Sequence, residues 1–256
     1  MGLRFRVKSQ LYSDQEAIKQ GILDDCGPSS MAAAVSWVFK YTPGHDFSAA
    51  QGVAAKAKAT GRVEKQGVSD NGSSLGDLIK TARVLGAEAR FAKSWDEVIA
   101  AAKAGAAIGV WVQQPVGYPA GLEVSDWHVR WAKWWGPKGG GGKKDPNHIK
   151  AGYGHMTAAV WDAEFGWQWA CPTRSGKGKE EFGVQISEET LLKLADSKRV
   201  SKAHVAPAFK HVIIVSAPKG WVAPKAAAPV IKPVAPVPAA PVAPAICSSC
   251  GQTIKK

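Results

Sequence analysis

The chain has 256 residues, 45% of them hydrophobic, and a formal net charge of +12. That length and apolar content suit one domain of ordinary size with a real core and room for an appendage, and such a chain does not depend on disulfide staples. The basic balance favours polyanionic surroundings such as nucleic acid, anionic membrane or acidic bacterial wall polymer. No apolar run is long enough to span a membrane, so insertion into one is excluded.

The first segment, MGLRFRVKSQLYS, alternates apolar and basic residues and predicts an edge strand. It lacks the apolar core of a signal peptide, and Arg6 stands where a myristoylation signal wants Ser or Thr. The expectation is a protein made in a host cytoplasm and delivered outside, if it acts there, by something other than its own signal. A helix is expected from Cys26 or just after it, with Pro28 in its first turn and Met31, Ala34, Val35 and Val38 at helical spacing. Ser48 with Gln51 forms a capping box for a helix that stops at Gly61. Ser74 with Asp77 opens another, ending at Gly86, and AEARFA follows as a short strand. Ser94 with Glu97 reads as a further capping box, for a helix ending near Gly105. The run Ala107 to Gln113 then predicts a buried strand.

Between Gln114 and Gly154 lies an insertion with Trp127, Trp131, Trp134 and Trp135 at helical spacing. Core packing is the plainer use of such an aromatic face, and a substrate or partner platform the sharper one. The insertion ends in GPKGGGGKKDPNHIK, which suits a gating loop and has no P-loop spacing. Two strands follow, His155 to Trp161 and Gly166 to Cys171, joined by DAEFG, then a helix in SEETLLKLADSK and a final strand from His211 to Ser216. Helices first and an antiparallel sheet after them argue for an α+β fold over residues 1–216. Residues 217–245 form an Ala/Val/Pro series, an extended polyproline-like linker. Residues 246–256 form a short tail in which Cys247 and Cys250 make a C-x-x-C. That is half of a zinc site, because structural zinc wants four ligands, and an attachment role for the tail is the plainer reading.

A cysteine at the amino end of a buried helix has a physical reason to react. The helix dipole stabilises its thiolate, and the backbone there can help to hold an oxyanion. Cys26 in DDCGPSSMAAAVSWV stands at such a junction, with Gly27 allowing close approach of a substrate; the competing reading is a small buried hydrophobe. His155, in GYGHMTAAVWD, begins a hydrophobic strand behind a glycine-rich turn and can present its imidazole to a cleft beside that helix. His211, expected to begin a strand, is its rival; the other four histidines fall in polar or loop contexts.

DDCGPSS with its Ala-rich helix, then GHMTAAVWD, a short turn and WQWACP, resembles the C39-like branch of the papain-like cysteine peptidases, which includes peptidase domains of actinobacteriophage lysins. The resemblance covers roughly Lys8 to Ser216 in element order, and its specific motifs are the Cys and His segments. It implies a papain-like fold, Cys26 as nucleophile, His155 as general base and Gln20 as the oxyanion glutamine, with Gln15 a weaker choice. Members of that family orient the histidine with an Asp or Asn, where this chain has Cys171. Three readings stay open: a Cys–His dyad, a substitute orienter such as Asp162 or Thr173, or a relative used structurally.

The resemblance implies a thiol-dependent hydrolase of peptide or amide bonds, phage-encoded and acting on the stem peptides of cell-wall peptidoglycan. It needs no cofactor, and the C-x-x-C leaves room for zinc. The alternative is a virion component, of the tail for example, that keeps a peptidase fold with little turnover and meets other virion proteins through its tail. A nucleic-acid binder rests on charge alone, and the basic residues are scattered rather than striped.

Overall fold

The computed structural model describes residues 2–8, 26–61, 73–114, 153–172, 180–195 and 208–222. They belong to one compact unit, Met1–Ala223, while the second unit, Pro224–Lys256, with the rest of the linker and the C-x-x-C, lies outside the described residues. The chain runs β1 (Arg6–Lys8), α1 (Cys26–Val38), α2 (Ala49–Thr60), α3 (Leu75–Val84), β2 (Glu88–Phe91), α4 (Trp95–Lys103), β3 (Ala107–Gln114), β4 (Tyr153–Asp162), β5 (Gly166–Ala170), β6 (Glu180–Phe182), β7 (Val184–Ile186), α5 (Glu188–Ala195) and β8 (Val212–Ser216). It is an α+β architecture. A six-stranded antiparallel sheet has the order β2-β8-β3-β4-β5-β7, and β1 pairs with β6 in a separate two-stranded ladder.

Local signals explain most boundaries. Ser48 and Gln51 form the expected reciprocal cap at the start of α2, which ends on Gly61 in the left-handed region (φ 67°). Ser74 and Asp77 do the same for α3. At α4 only half of the box is made: Ser94 accepts from the Glu97 amide, but the Glu97 carboxylate accepts from Lys93 N and pairs with Arg90 at 2.6 Å. The last strand begins at Val212. His211 instead closes a short 3-10 turn, and its ring lies 5.3 Å from that of Trp111.

The central strands are buried on both faces, which is why AIGVWV and VIIVS read as continuous apolar runs rather than alternating ones. One face carries Ala107, Gly109, Met156, Ala158, Val160, Ile213 and Val215, packed against α1 and α3, with α2 lying against those two helices. The other carries Ile108, Val110, Val112, Ala159, Trp169, Val212 and Ile214, and Val98, Ala102, Leu191 and Leu194 of α4 and α5 cover it. Helices therefore flank the sheet, and the order of elements along the chain does not separate them into one layer. Each large aliphatic side chain buried in this way stabilises the fold by about 1.5–3 kcal/mol.

The direction of α1 follows from three contacts. Ser30 Oγ donates to the carbonyl of Met156 at 2.9 Å. Seven residues later the Trp37 ring meets Phe5 edge-on at 5.9 Å. The Phe5 amide in turn donates to Gln168 Oε1, and Gln168 is the register partner of Val160. So α1 runs in the same sense as β4, and its first residue lies at the end of the sheet where β4 begins.

The turn that ends α1 holds two successive non-glycine residues at positive φ, Lys40 (55°) and Tyr41 (52°), each a conformation that costs on the order of 1 kcal/mol. What holds them is Tyr41. Its hydroxyl accepts from Arg6 N at 2.7 Å, and the Arg6 guanidinium sits 4.1 Å over its ring. Burial pushes the Tyr41 phenol well above its usual range. The neutral phenol is the form the fold favours, so its contribution is complete below the ordinary tyrosine value near 10 and fades as pH rises beyond it. In an alkaline absorbance titration, Tyr41 is expected to ionise last of the four tyrosines, together with unfolding, and Tyr41→Phe is expected to remove that late step.

The change in composition at residue 217 precedes the end of packing. Ala217 and Trp221 still lie against the core, and the Trp221 ring meets Phe39 edge-on at 5.2 Å. Large aromatic area, rather than proline content, decides where the chain leaves the domain. Among the described residues no helix is long and apolar enough to cross a membrane.

Candidate functional site

Cys26 is the first residue of α1, half-buried at its edge, and every later residue of the helix is buried. The first turn itself carries no acidic side chain. Pro28 fits that turn because its missing N–H falls where a helix has no intrahelical acceptor to offer. Gly27 has a packing role. A Cβ there would lie 2.7 Å from Leu78 Cδ2, so α3 approaches the first turn of α1 through the bare backbone.

Ser30, one turn after Cys26, ties this helix end to β4 through the Met156 carbonyl, the residue next to His155. At the rise of a helix Cys26 lies about 6 Å back from Ser30 along the axis, level with the start of the strand. His155 is the register partner of Val112, on the face of the sheet opposite α1, at this same end. Cys26 and His155 thus sit on two sides of one sheet end.

The structure brings His155 and Cys171 together. Nε2 lies 3.2 Å from Cys171 Sγ, with the histidine 3% and the cysteine 1% exposed. Pairing explains it. Ala158 is opposite Ala170, so Cys171 follows at the level of Thr157, diagonal to His155 on the same face. Thr157 continues the polar line: its hydroxyl donates to the Val110 carbonyl at 3.0 Å and accepts from Trp169 Nε1 at 3.0 Å. Thr157 and Trp169 were not among the residues picked out from sequence. Their only signal was alternation within WQWACP, which becomes meaningful once the register is known.

The other candidates separate cleanly. Asp162 ends β4, seven residues from His155 and roughly 23 Å along a strand. Its carboxylate caps the β4–β5 turn through the Glu164 and Phe165 amides and accepts from Leu3 N. It does not orient the imidazole. His45 bonds Thr42 Oγ1 through Nδ1 at 3.2 Å, and the His211 ring lies tilted against that of Trp111. Gln15, Gln20, Thr173, the four tryptophans of the insertion, Cys247 and Cys250 lie outside the described residues. Among the described residues no group of three or more His, Cys, Asp or Glu side chains could hold a metal ion. No protein-family model matches the chain, and no curated protein does.

Proposed function

We propose that the chain is a thiol hydrolase with a papain-like, C39-like peptidase domain, acting on peptide or amide bonds of peptidoglycan stem peptides. The observation that carries this reading is the position of Cys26, half-buried at the amino end of a buried helix that Ser30 ties to the Met156 carbonyl, at the same end of the sheet as His155 but on its other face. On this reading Nδ1 of His155 addresses Cys26 round the end of the sheet and takes its proton. The sulfur attacks the carbonyl carbon, and Gln20 with the Cys26 amide holds the resulting oxyanion. Collapse of that intermediate breaks the C–N bond as the imidazolium returns the proton to the leaving amine. Water, deprotonated by the same imidazole, then releases the acid from Cys26. The charge of +12 keeps the protein near anionic wall polymer.

The test is incubation with purified peptidoglycan. Wild type is expected to release stem-peptide fragments and Cys26→Ala to release none; equal release by both sinks the assignment. The second reading, a virion component with little turnover, is favoured by the deep burial of the His155 imidazole and by a thiol, not a carboxylate, beside it. Stoichiometric presence in assembled particles, with Cys26 inert to iodoacetamide at neutral pH, would decide for it.

A further inference from the structure

The sheet end at which Cys26 stands has two faces, and they differ in what they leave open. On the face of His155 the end is sealed: His155, Thr157, Trp169 and Cys171 are all buried. A substrate carbonyl that reaches Cys26 therefore lies on the α1 face, where Cys26, Trp111 and His211 are only partly buried. We propose that Trp111 and His211 form the wall of a substrate subsite beside Cys26, which takes an uncharged, aliphatic side chain of the peptide next to the bond that is cut. The subsite rests on the hydrolase reading for its nucleophile.

Register and helix packing place the pair there. Trp111 is the register partner of Met156, whose carbonyl accepts from the Ser30 hydroxyl. The tryptophan thus stands level with Ser30, about 6 Å along the sheet from the level of Cys26. Val110 pairs with Val212, which sets His211 opposite Trp111, and the two rings lie 5.3 Å apart at 39°. Trp111 and Cys26 pack against one core cluster, which contains Met31, Met156 and Ile213. Two helix ends stand over this spot. Leu78, in the first turn of α3, reaches Gly27, and beyond the far end of both helices Phe39 lies 3.9 Å from a Cβ placed on Gly86. So α1 and α3 run side by side in one sense, α1 over β3 and β4 and α3 over β8 and β2. Trp111 on β3 and His211 at the head of β8 lie below the seam between their first turns.

The chemistry of the wall follows from its neighbours. The ring pair rests on methionine and aliphatic side chains. An aliphatic group laid against it leaves water at a gain, whereas a carboxylate there loses hydration. Trp111 is also held in place, by His211 on one flank and by the pairing of β3 with β4 and β8. A large ring fixed in advance selects sharply, because little ordering remains to be done on binding.

The experiment uses two acetylated dipeptide chloromethyl ketones, one ending in valine and one in aspartate, with modification of the Cys26 peptide followed by mass spectrometry. Each rate is divided by that reagent's rate with N-acetylcysteine, and iodoacetamide reports the reactivity of the sulfur itself. Wild type is expected to favour the valine reagent by about tenfold or more. Trp111→Ala is expected to bring the two rates close together, and His211→Ala to lower the preference by about threefold. Equal rates in wild type, or a faster reaction with the aspartate reagent, overturn the proposal without any variant. So does a preference that survives both substitutions. Cys26 inert to all three reagents would sink the nucleophile and the subsite with it. The valine preference in a protein that releases nothing from peptidoglycan would sink the hydrolase reading alone.

Discussion

Replacing His155 with alanine is expected to lower the release of peptidoglycan fragments by about 10⁴-fold or more, as is Cys26→Ala, and the double variant is expected to fall no further. The reasoning is that a thiol and its base act as one unit. Once the imidazole is gone, a thiolate at the helix end has no partner to protonate the leaving amine. Once the sulfur is gone, the imidazole has nothing to activate. A second readout isolates the half-reaction. Alkylation of Cys26 by iodoacetamide at neutral pH should slow in His155→Ala, since the helix end alone stabilises the thiolate less than the helix end with an adjacent imidazolium does. Independent, additive losses would mean that the two side chains do not work together, and the opposite sides of the sheet from which they start would then be the reason. Thermal unfolding of both variants separates a chemical loss from a folding defect.

What could be read in advance was whatever local chemistry determines. Capping serines at Ser48 and Ser74, a proline in the first turn of α1 and glycines after α2 and α3 act over a few residues, and those boundaries are where the sequence places them. Ser94 shows the limit. The same motif is present, yet the cap side of Glu97 goes to Lys93 and Arg90, because strand β2 brings a cation within reach. The short strands β6 and β7, in EEFGVQI, have no pattern to announce them. Phe182 is the register partner of Arg6, 176 residues away, so the ladder forms only once β1 has docked. Cys26 and His155 stood out in the sequence by residue type and context, at the start of a helix and near the start of a strand, and those two elements are present. The contact between His155 and Cys171 did not stand out, since it depends on a turn of fixed length from Asp162 to Gly166 setting a register that puts both on one face.

The largest stability effect is expected from Gly52→Ala, a change that helix propensity alone would favour. In an exposed helix interior alanine is better than glycine by about 1 kcal/mol. At Gly52 a Cβ would stand 2.3 Å from the carbonyl oxygen of Pro28 and 2.9 Å from its carbonyl carbon. Those are backbone atoms in the first turn of α1, so no rotamer change relieves the overlap. The helices must separate instead, and overpacking of this kind costs about 1–3 kcal/mol or more. Backbone-on-backbone overlap puts the clash at the upper end of that range, about 3 kcal/mol, which exceeds the propensity gain by about 2 kcal/mol, so Tm should fall by about 4–8 °C in a domain of this size. Gly76 supplies the comparison. It lies in the first turn of α3, where a Cβ would meet only Ser74 Oγ, at 3.7 Å, so Gly76→Ala should leave Tm level or raise it. Because Pro28 is two residues from Cys26, Gly52→Ala should also slow hydrolysis at temperatures where the protein remains folded, while Gly76→Ala should not. A Gly52→Ala protein as stable as wild type would mean that α1 and α2 do not pack backbone to backbone, and Cys26 would then lose the support that fixes it at the end of the sheet.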